Sequence, residues 1–231
     1  MRKTIGKLFL ILMLLVIYAP ILILAVYSFT DSGNIGSIHG FSMQNYVTLF
    51  TKGELRDMIV GTVLLALVSS LLATIFGTMG AIGAFYSKKL AKNFINTANQ
   101  IPVVNADVVT GFSICVLLIV AFGMNKESYV PLLIGHVVLS APFVYLSVVP
   151  KLKQMDASLY EAAMDLGASP SMALRKVVIP QIMPGIVSGF ALAITLSLDD
   201  YFIASYTKPA TFNTISTSVV NATKGSQTEI K

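Results

Sequence analysis

Apolar residues in this chain come in long unbroken runs, not in the short alternations of a water-soluble fold. Runs almost free of charge cover about 8–28, 58–86, 101–122, 129–150 and 182–198. A helix rises about 1.5 Å per residue, so roughly 20 residues cross a hydrocarbon core about 30 Å thick. The first four runs meet that length. The fifth does so only if its helix begins nearer Val177 or continues past Asp199, and its span is set at about 180–202. The pattern predicts an all-α, polytopic transmembrane bundle of about five spans within 1–206, with the most polar internal loop at 151–180 and a polar segment at 207–231.

Composition agrees: 55% of residues are hydrophobic and 12% charged, where a soluble domain carries roughly 25% charged residues. Lysine and arginine set the orientation. Arg2, Lys3 and Lys7 precede the first span, Lys88, Lys89 and Lys92 fill the loop after the second, and Lys151, Lys153, Arg175 and Lys176 lie in the 151–180 loop. These ten of the 16 basic residues mark the cytoplasmic side, leaving six for 29–57, 123–128 and 199–231. The basic start followed by an apolar run has no convincing cleavage site, so the first span is expected to be an uncleaved anchor. The net charge of +5 has this topological origin, and no basic, aromatic-interleaved surface points to nucleic acid as a partner.

Little in the chain points to covalent chemistry. Cys115 is the only cysteine, which excludes an internal disulfide or thiolate cluster, and a packing thiol is expected. Neither His39 nor His136 has a carboxylate at metal-ligand spacing; no metal or cofactor is expected, and His136 is assigned to packing. Gly77, Gly80 and Gly83 repeat every three residues within a span, where small residues let helices approach. They are not a phosphate loop, because no Gly-Lys-Ser/Thr follows. There is no nucleophile–base pair, so the chain is not expected to be an enzyme.

The 151–180 loop has internal order. Leu159, Ala162, Ala163 and Leu166 fall at helical spacing and Gly167 supplies a stop. Ser169 and Pro170 make an N-cap and first turn, Arg175 and Lys176 suit the far end of the next helix, and Pro180 is expected to interrupt it. Helix, glycine bend and second helix result. Ala162 and Ala163 leave a shallow surface beside the Glu161 carboxylate, the form of a docking knob.

Acids near the apolar runs need a reason. Asp199 and Asp200 end the fifth run, at a helix C-terminus whose dipole disfavours them by a few tenths to about 1 kcal/mol. Tyr201, Phe202 and Tyr206 follow, and carboxylates beside aromatic faces suit a cation. An ordinary solvated boundary with interfacial aromatics is the plainer alternative. Residues about 100° apart on a helix do not both face one pathway, and the sequence does not choose between the two acids. Asp107 is expected about two turns into the third span, where an acid costs up to about 2.5–3.5 kcal/mol unless it meets water or a partner. It is a candidate for the pathway, or a local polar entry beside Asn105.

The spacing Glu161-Ala162-Ala163, three residues, Gly167, nine residues, Val177, one residue, Ile179-Pro180 resembles the EAA loop of ABC importer permeases, with Val177 and Ile179 as conservative departures. Weaker matches at Tyr18-Ala19-Pro20, Tyr27-Ser28-Phe29, Asn45-Tyr46, Leu49-Phe50, Pro102, Asp107, Gly111 and Ser197-Leu198-Asp199-Asp200 extend the resemblance over nearly the whole chain. Within that family the chain is most similar to the spermidine/putrescine permeases. The resemblance implies a bundle of the type I importer kind whose usual last span is missing, with 207–231 an external tail truncated before it. It implies coupling to a cytosolic ABC ATPase dimer through Glu161, Ala162, Ala163, Gly167 and Pro180. Asp199, Asp200, Tyr201 and Asp107 become polyamine-pathway residues, and a second permease subunit and an external polyamine-binding protein become partners in a bacterial inner membrane. A permease for thiamine, iron or an opine-like amine is the alternative in the same class. An ATP-independent transporter or a membrane scaffold is the alternative outside it.

Overall fold

The structure, a computed structural model, describes residues 2–30, 40–156 and 158–225; His39 and residues 226–231 of the expected tail lie outside them. The chain divides into two units, residues 1–57 and 58–231.

In the first unit, α1 (Arg2–Ser28) is apolar on every side from Leu8 onward, the form of a helix that meets lipid or other membrane helices. Its end is pinned to α2 (Gln44–Thr51). The Asn45 side-chain amide donates to the carbonyls of Ser28 and Thr30 at 3.2 and 2.9 Å, and Phe29 packs its ring on Phe41 and Tyr46. An isolated antiparallel bridge between Thr30 and Phe41 is the only β-type pairing among the described residues.

The remaining helices are α3 (Gly53–Tyr86), α4 (Lys89–Val104), α5 (Asp107–Cys115), α6 (Val130–Gln154), α7 (Ser158–Asp165), α8 (Pro170–Ala173), α9 (Ile179–Asp199), α10 (Phe202–Thr207) and α11 (Ile215–Gly225). Wide π-helical turns continue α5 through Val116–Ala121 and join α8 to α9 through Leu174–Val178. Four helical stretches among the described residues are long and apolar enough to cross a membrane: Gly6–Ser28, Gly53–Tyr86, Val130–Gln154 and Pro170–Asp199. The protein is thus an all-α, polytopic bundle.

The third apolar run departs from the expected continuous span 101–122. It is bent by 107° between α4 and α5, because Asn105 and Ala106 both take extended backbone at the joint. Asn and Asp are weak helix formers that compete for the backbone, and Asn105 and Asp107 flank the bend. Asp107 is therefore the first residue of α5, not a residue two turns into a span, and its carboxylate sits at the favourable end of that helix dipole.

Pro180 does not interrupt its helix as expected either. The stretch Pro170–Asp199 is continuous over 30 residues. A proline ring clashes with the carbonyl four residues earlier, and the π-helical Leu174–Val178 widens the turn where that carbonyl lies.

Helices α6 and α9 form the centre of the second unit. In lipid, apolar surface gives helices little reason to associate, so close packing of small residues carries the interface. A Cβ on Gly185 would lie 2.9 Å from the Ser147 carbonyl, and one on Gly189 3.1 Å from Val144 Cα. Val144, Val148, Leu152, Val178, Ile182 and Ala193 are buried around this seam, with Ala81 and Ala84 of α3 against it. Gly77 of α3 also meets α6, at the Ala141 carbonyl and Val144, whereas Gly83 faces open space. The Tyr145 hydroxyl donates to the Asn96 side chain, and Asn99 donates to the Pro142 carbonyl, tying α4 to α6.

Candidate functional site

The 151–180 loop folds as its residues dictate. Asp156 accepts the Ser158 backbone N–H at 3.0 Å ahead of α7, and that bond holds its carboxyl below the usual carboxylate range. Glu161 stands exposed in the first turn of α7. Past the helix end, Gly167 takes φ +84°, a left-handed conformation that glycine adopts without Cβ strain. The N–H of Ala168 reaches the Ala163 carbonyl at 3.0 Å and that of Gly167 the Met164 carbonyl at 2.9 Å, the paired bonds of a Schellman stop. Ser169 then caps the next helix, its hydroxyl accepting from Met172 N at 3.4 Å.

The orientation of α7 is informative. Tyr160 packs on Tyr86, ring centroids 5.0 Å apart, and Ala163 is half-buried. Leu159, Ala162 and Leu166 face outward, Leu166 with 90% of its surface exposed. An apolar strip exposed among the described residues runs beside the Glu161 carboxylate, while Pro180 lies further on, at the start of α9.

At the other end of α9, Asp107, Asp199, Asp200 and Tyr201 come together. They line one cleft of about 280 Å³ with Leu139, Phe143, Leu196 and Phe202. Asp107 and Asp199 are exposed in it, whereas Asp200 is 9% exposed.

The two adjacent acids differ because the helix ends between them. Asp200 takes extended backbone, so the 100° rule that was expected to separate their directions does not apply, and both reach the cleft. Nor does the α9 dipole leave Asp200 disfavoured. Its carboxylate accepts from Ile203 N at 3.3 Å and Ala204 N at 2.8 Å, the orphan donors at the start of α10, where negative charge is favoured.

Helix α10 is a buried wedge. Ile203, Ala204 and Thr207 have no exposed surface. Ile203 fits between two glycines: a Cβ on Gly111 would lie 3.1 Å from Ile203 Cα, and one on Gly135 only 2.5 Å from Ile203 Cγ2. Cys115 Sγ donates to the Tyr206 carbonyl at 3.3 Å, fastening α5 to the same wedge.

Part of the segment expected as a tail is ordered helix. Thr214 and Thr217 exchange hydroxyl-to-amide bonds of 2.9 and 3.2 Å that cap α11. The Ser216 hydroxyl donates to the Asp199 carbonyl at 3.1 Å. Lys224 places its ammonium 3.0 Å from the Tyr201 hydroxyl and 5.1 Å from the centre of that ring.

Sequence reasoning gave His136 only a packing role. It is fully buried, with Nδ1 2.8 Å from Ser197 Oγ and Nε2 3.7 Å from Asp200 Oδ2. Ser197 in turn lies 3.1 Å from Ser69 Oγ. Polar residues inside apolar runs were the available signal, since such groups pair across helices. No spacing connects positions 69, 136 and 197.

Residues 74–229 match the family described as binding-protein-dependent transport system inner membrane component. The chain is 32% identical to the spermidine/putrescine transport system permease protein PotC of Escherichia coli K12, over 82% of this chain and 71% of that one. It is 33% identical to the protein of the same name from Haemophilus influenzae, over 82% and 73%. Identity to the putrescine transport system permease protein PotI of Escherichia coli K12 is 32%, over 82% and 69%. A solved structure described as an amino acid ABC transporter with histidines has 20% identity and a TM-score of 0.48, over 78% of this chain and 87% of that one. This chain therefore belongs to the binding-protein-dependent transport system inner membrane component family.

Proposed function

We propose that this protein is a membrane-spanning permease subunit of an ATP-driven importer of polyamines, spermidine or putrescine. The observation that carries the substrate assignment is the cleft, where the carboxylates of Asp107, Asp199 and Asp200 meet the rings of Tyr201 and Phe202. A polyamine is a string of ammonium groups joined by methylenes, so it needs carboxylates for its charges and aromatic faces for its stems. Tyr201 already has an ammonium at its hydroxyl and over its ring, supplied by Lys224. The names of the PotC and PotI relatives point the same way.

Movement through the cleft is powered elsewhere. The exposed apolar strip of α7, with Glu161 beside it, docks a cytosolic ATPase dimer, and the Gly167 stop fixes the angle at which α7 meets the helix leading into α9. Closure of the ATPases on ATP drags α7 inward and turns the cavity, formed with a second permease subunit, toward an external polyamine-binding protein. Hydrolysis resets it. The basic residues of 151–180 support a cytoplasmic position for this loop.

The test is kinetic. Asp199→Asn removes one exposed carboxylate from the cleft; it should raise the KM for spermidine roughly tenfold or more, the worth of a charge-assisted contact, at unchanged abundance in the membrane. An unchanged KM for both Asp199→Asn and Asp107→Asn would remove the cleft from the substrate's route.

A further inference from the structure

We propose that His136 is a positioning residue for the cleft, setting the direction of the Asp200 carboxylate through a buried relay that starts at Ser69; this rests on the assignment of the cleft as the cation site. The relay crosses three helices. Ser69 of α3 lies 3.1 Å from Ser197 of α9, and Ser197 lies 2.8 Å from Nδ1 of His136 on α6. The far side of the ring, Nε2, faces Asp200 Oδ2 at 3.7 Å. All three residues of the relay are at most 2% exposed, and Nε2 is among the buried polar atoms with no hydrogen-bond partner.

The direction of the relay follows from its end. The Asp200 oxygens already accept from Ile203 N and Ala204 N, and a carboxylate has only acceptor sites to offer the ring. The tautomer that meets it with a donor carries its hydrogen on Nε2, which makes Nδ1 an acceptor for the Ser197 hydroxyl. Ser197 then accepts the Ser69 hydroxyl at 3.1 Å, in place of the 3.3 Å bond that the same hydroxyl can donate to the Ala66 carbonyl one turn earlier. The opposite tautomer would turn a ring lone pair toward the carboxylate from a fully buried ring.

The 3.7 Å gap is longer than the 2.7–3.2 Å typical of an N–H···O bond. A movement of the α9–α10 elbow by roughly 0.5–1 Å closes it. Asp200 is thus shared: one side of its carboxylate faces His136 Nε2, and its free lone pairs are open to an ammonium in the cleft. His136 keeps the carboxylate aimed between those two uses, and it touches no substrate itself.

Two substitutions separate the two ends of the ring. In His136→Asn the amide keeps a group near the Nδ1 position and loses reach toward Asp200; in His136→Gln the amide nitrogen extends toward the Nε2 position. Uptake of labelled spermidine, normalised to the amount of protein in the membrane, should show a KM raised about fivefold or more in His136→Asn with Vmax within about twofold, and a KM returned to within about twofold of the native value in His136→Gln. Ser197→Ala frees the Nδ1 side while leaving the ring in place, and it should raise KM in the same sense if His136→Asn fails to insert.

Equal KM values for the Asn and Gln variants, or an effect confined to abundance, would overturn the positioning role. Asp199→Asn, which leaves the relay intact, runs alongside. A raised KM there with native behaviour in His136→Asn refutes the positioning role alone. A native KM in Asp199→Asn and Asp107→Asn refutes the cleft, and the role of His136 with it.

Discussion

Asp200 Oδ2 accepts the backbone N–H of Ala204 at 2.8 Å, so a carboxylate that the sequence leaves at the end of one helix in fact begins another. With Oδ1 on Ile203 N, it secures the start of the buried wedge α10. Asp199, one residue earlier, faces the cleft and lends only its carbonyl, to Ser216. The two acids should therefore separate by assay. Asp200→Ala should destabilise the detergent-solubilised protein by about 1–2 kcal/mol, the usual cost of a lost cap, while Asp199→Ala should leave thermal unfolding nearly unchanged and raise the KM for spermidine.

Gly135 and Ile203 fit too closely for any side chain between them. A Cβ on Gly135 would come within 2.5 Å of Ile203 Cγ2. Gly135→Ala should cost about 1–3 kcal/mol through overpacking. Adding Ile203→Ala should recover part of that loss, because it removes the atom that collides. A double-mutant cycle on thermal unfolding measures this coupling, and strictly additive losses would argue against the wedge packing described.

Gly167 has no neighbour that a Cβ would meet within 4 Å, yet its φ is +84°. The cost of a substitution there is in the backbone, about 1–2 kcal/mol for an L residue held left-handed. Gly167→Asn should be milder than Gly167→Val, since asparagine tolerates that region. Both should insert normally and Gly167→Val should lose uptake, as read by membrane abundance and transport in the same cells. Native uptake in Gly167→Val would separate this bend from coupling.

How far the sequence reveals the molecule depends on the kind of signal. The apolar spans were legible because crossing a bilayer is a matter of length and charge, and the turn after α7 because Gly167, Ser169 and Pro170 each act on their own few residues. The bend at Asn105–Ala106 and the uninterrupted passage through Pro180 were not. Both depend on whether a neighbouring turn stretches or breaks, and π-helical turns carry no distinct sequence pattern. Asp107, Asp199, Asp200 and Tyr201 stood out as polar groups beside apolar runs. That they share one cleft is tertiary: it needs the α4–α5 bend to bring Asp107 to the end of α9. The pairing of His136 with Ser197 and Asp200 arises from the α6–α9 seam, which small residues on α9 make close and no spacing announces.

The most direct test of the account is uptake of labelled spermidine by cells whose only copy of this subunit is the gene for this chain, supplied with its partner subunits, in the presence of excess unlabelled putrescine, thiamine or ferric iron. Uptake that requires the gene and is competed by putrescine alone is the predicted result. Uptake that is indifferent to the gene, or competition by thiamine or iron in place of putrescine, would contradict the assignment of this permease to polyamines.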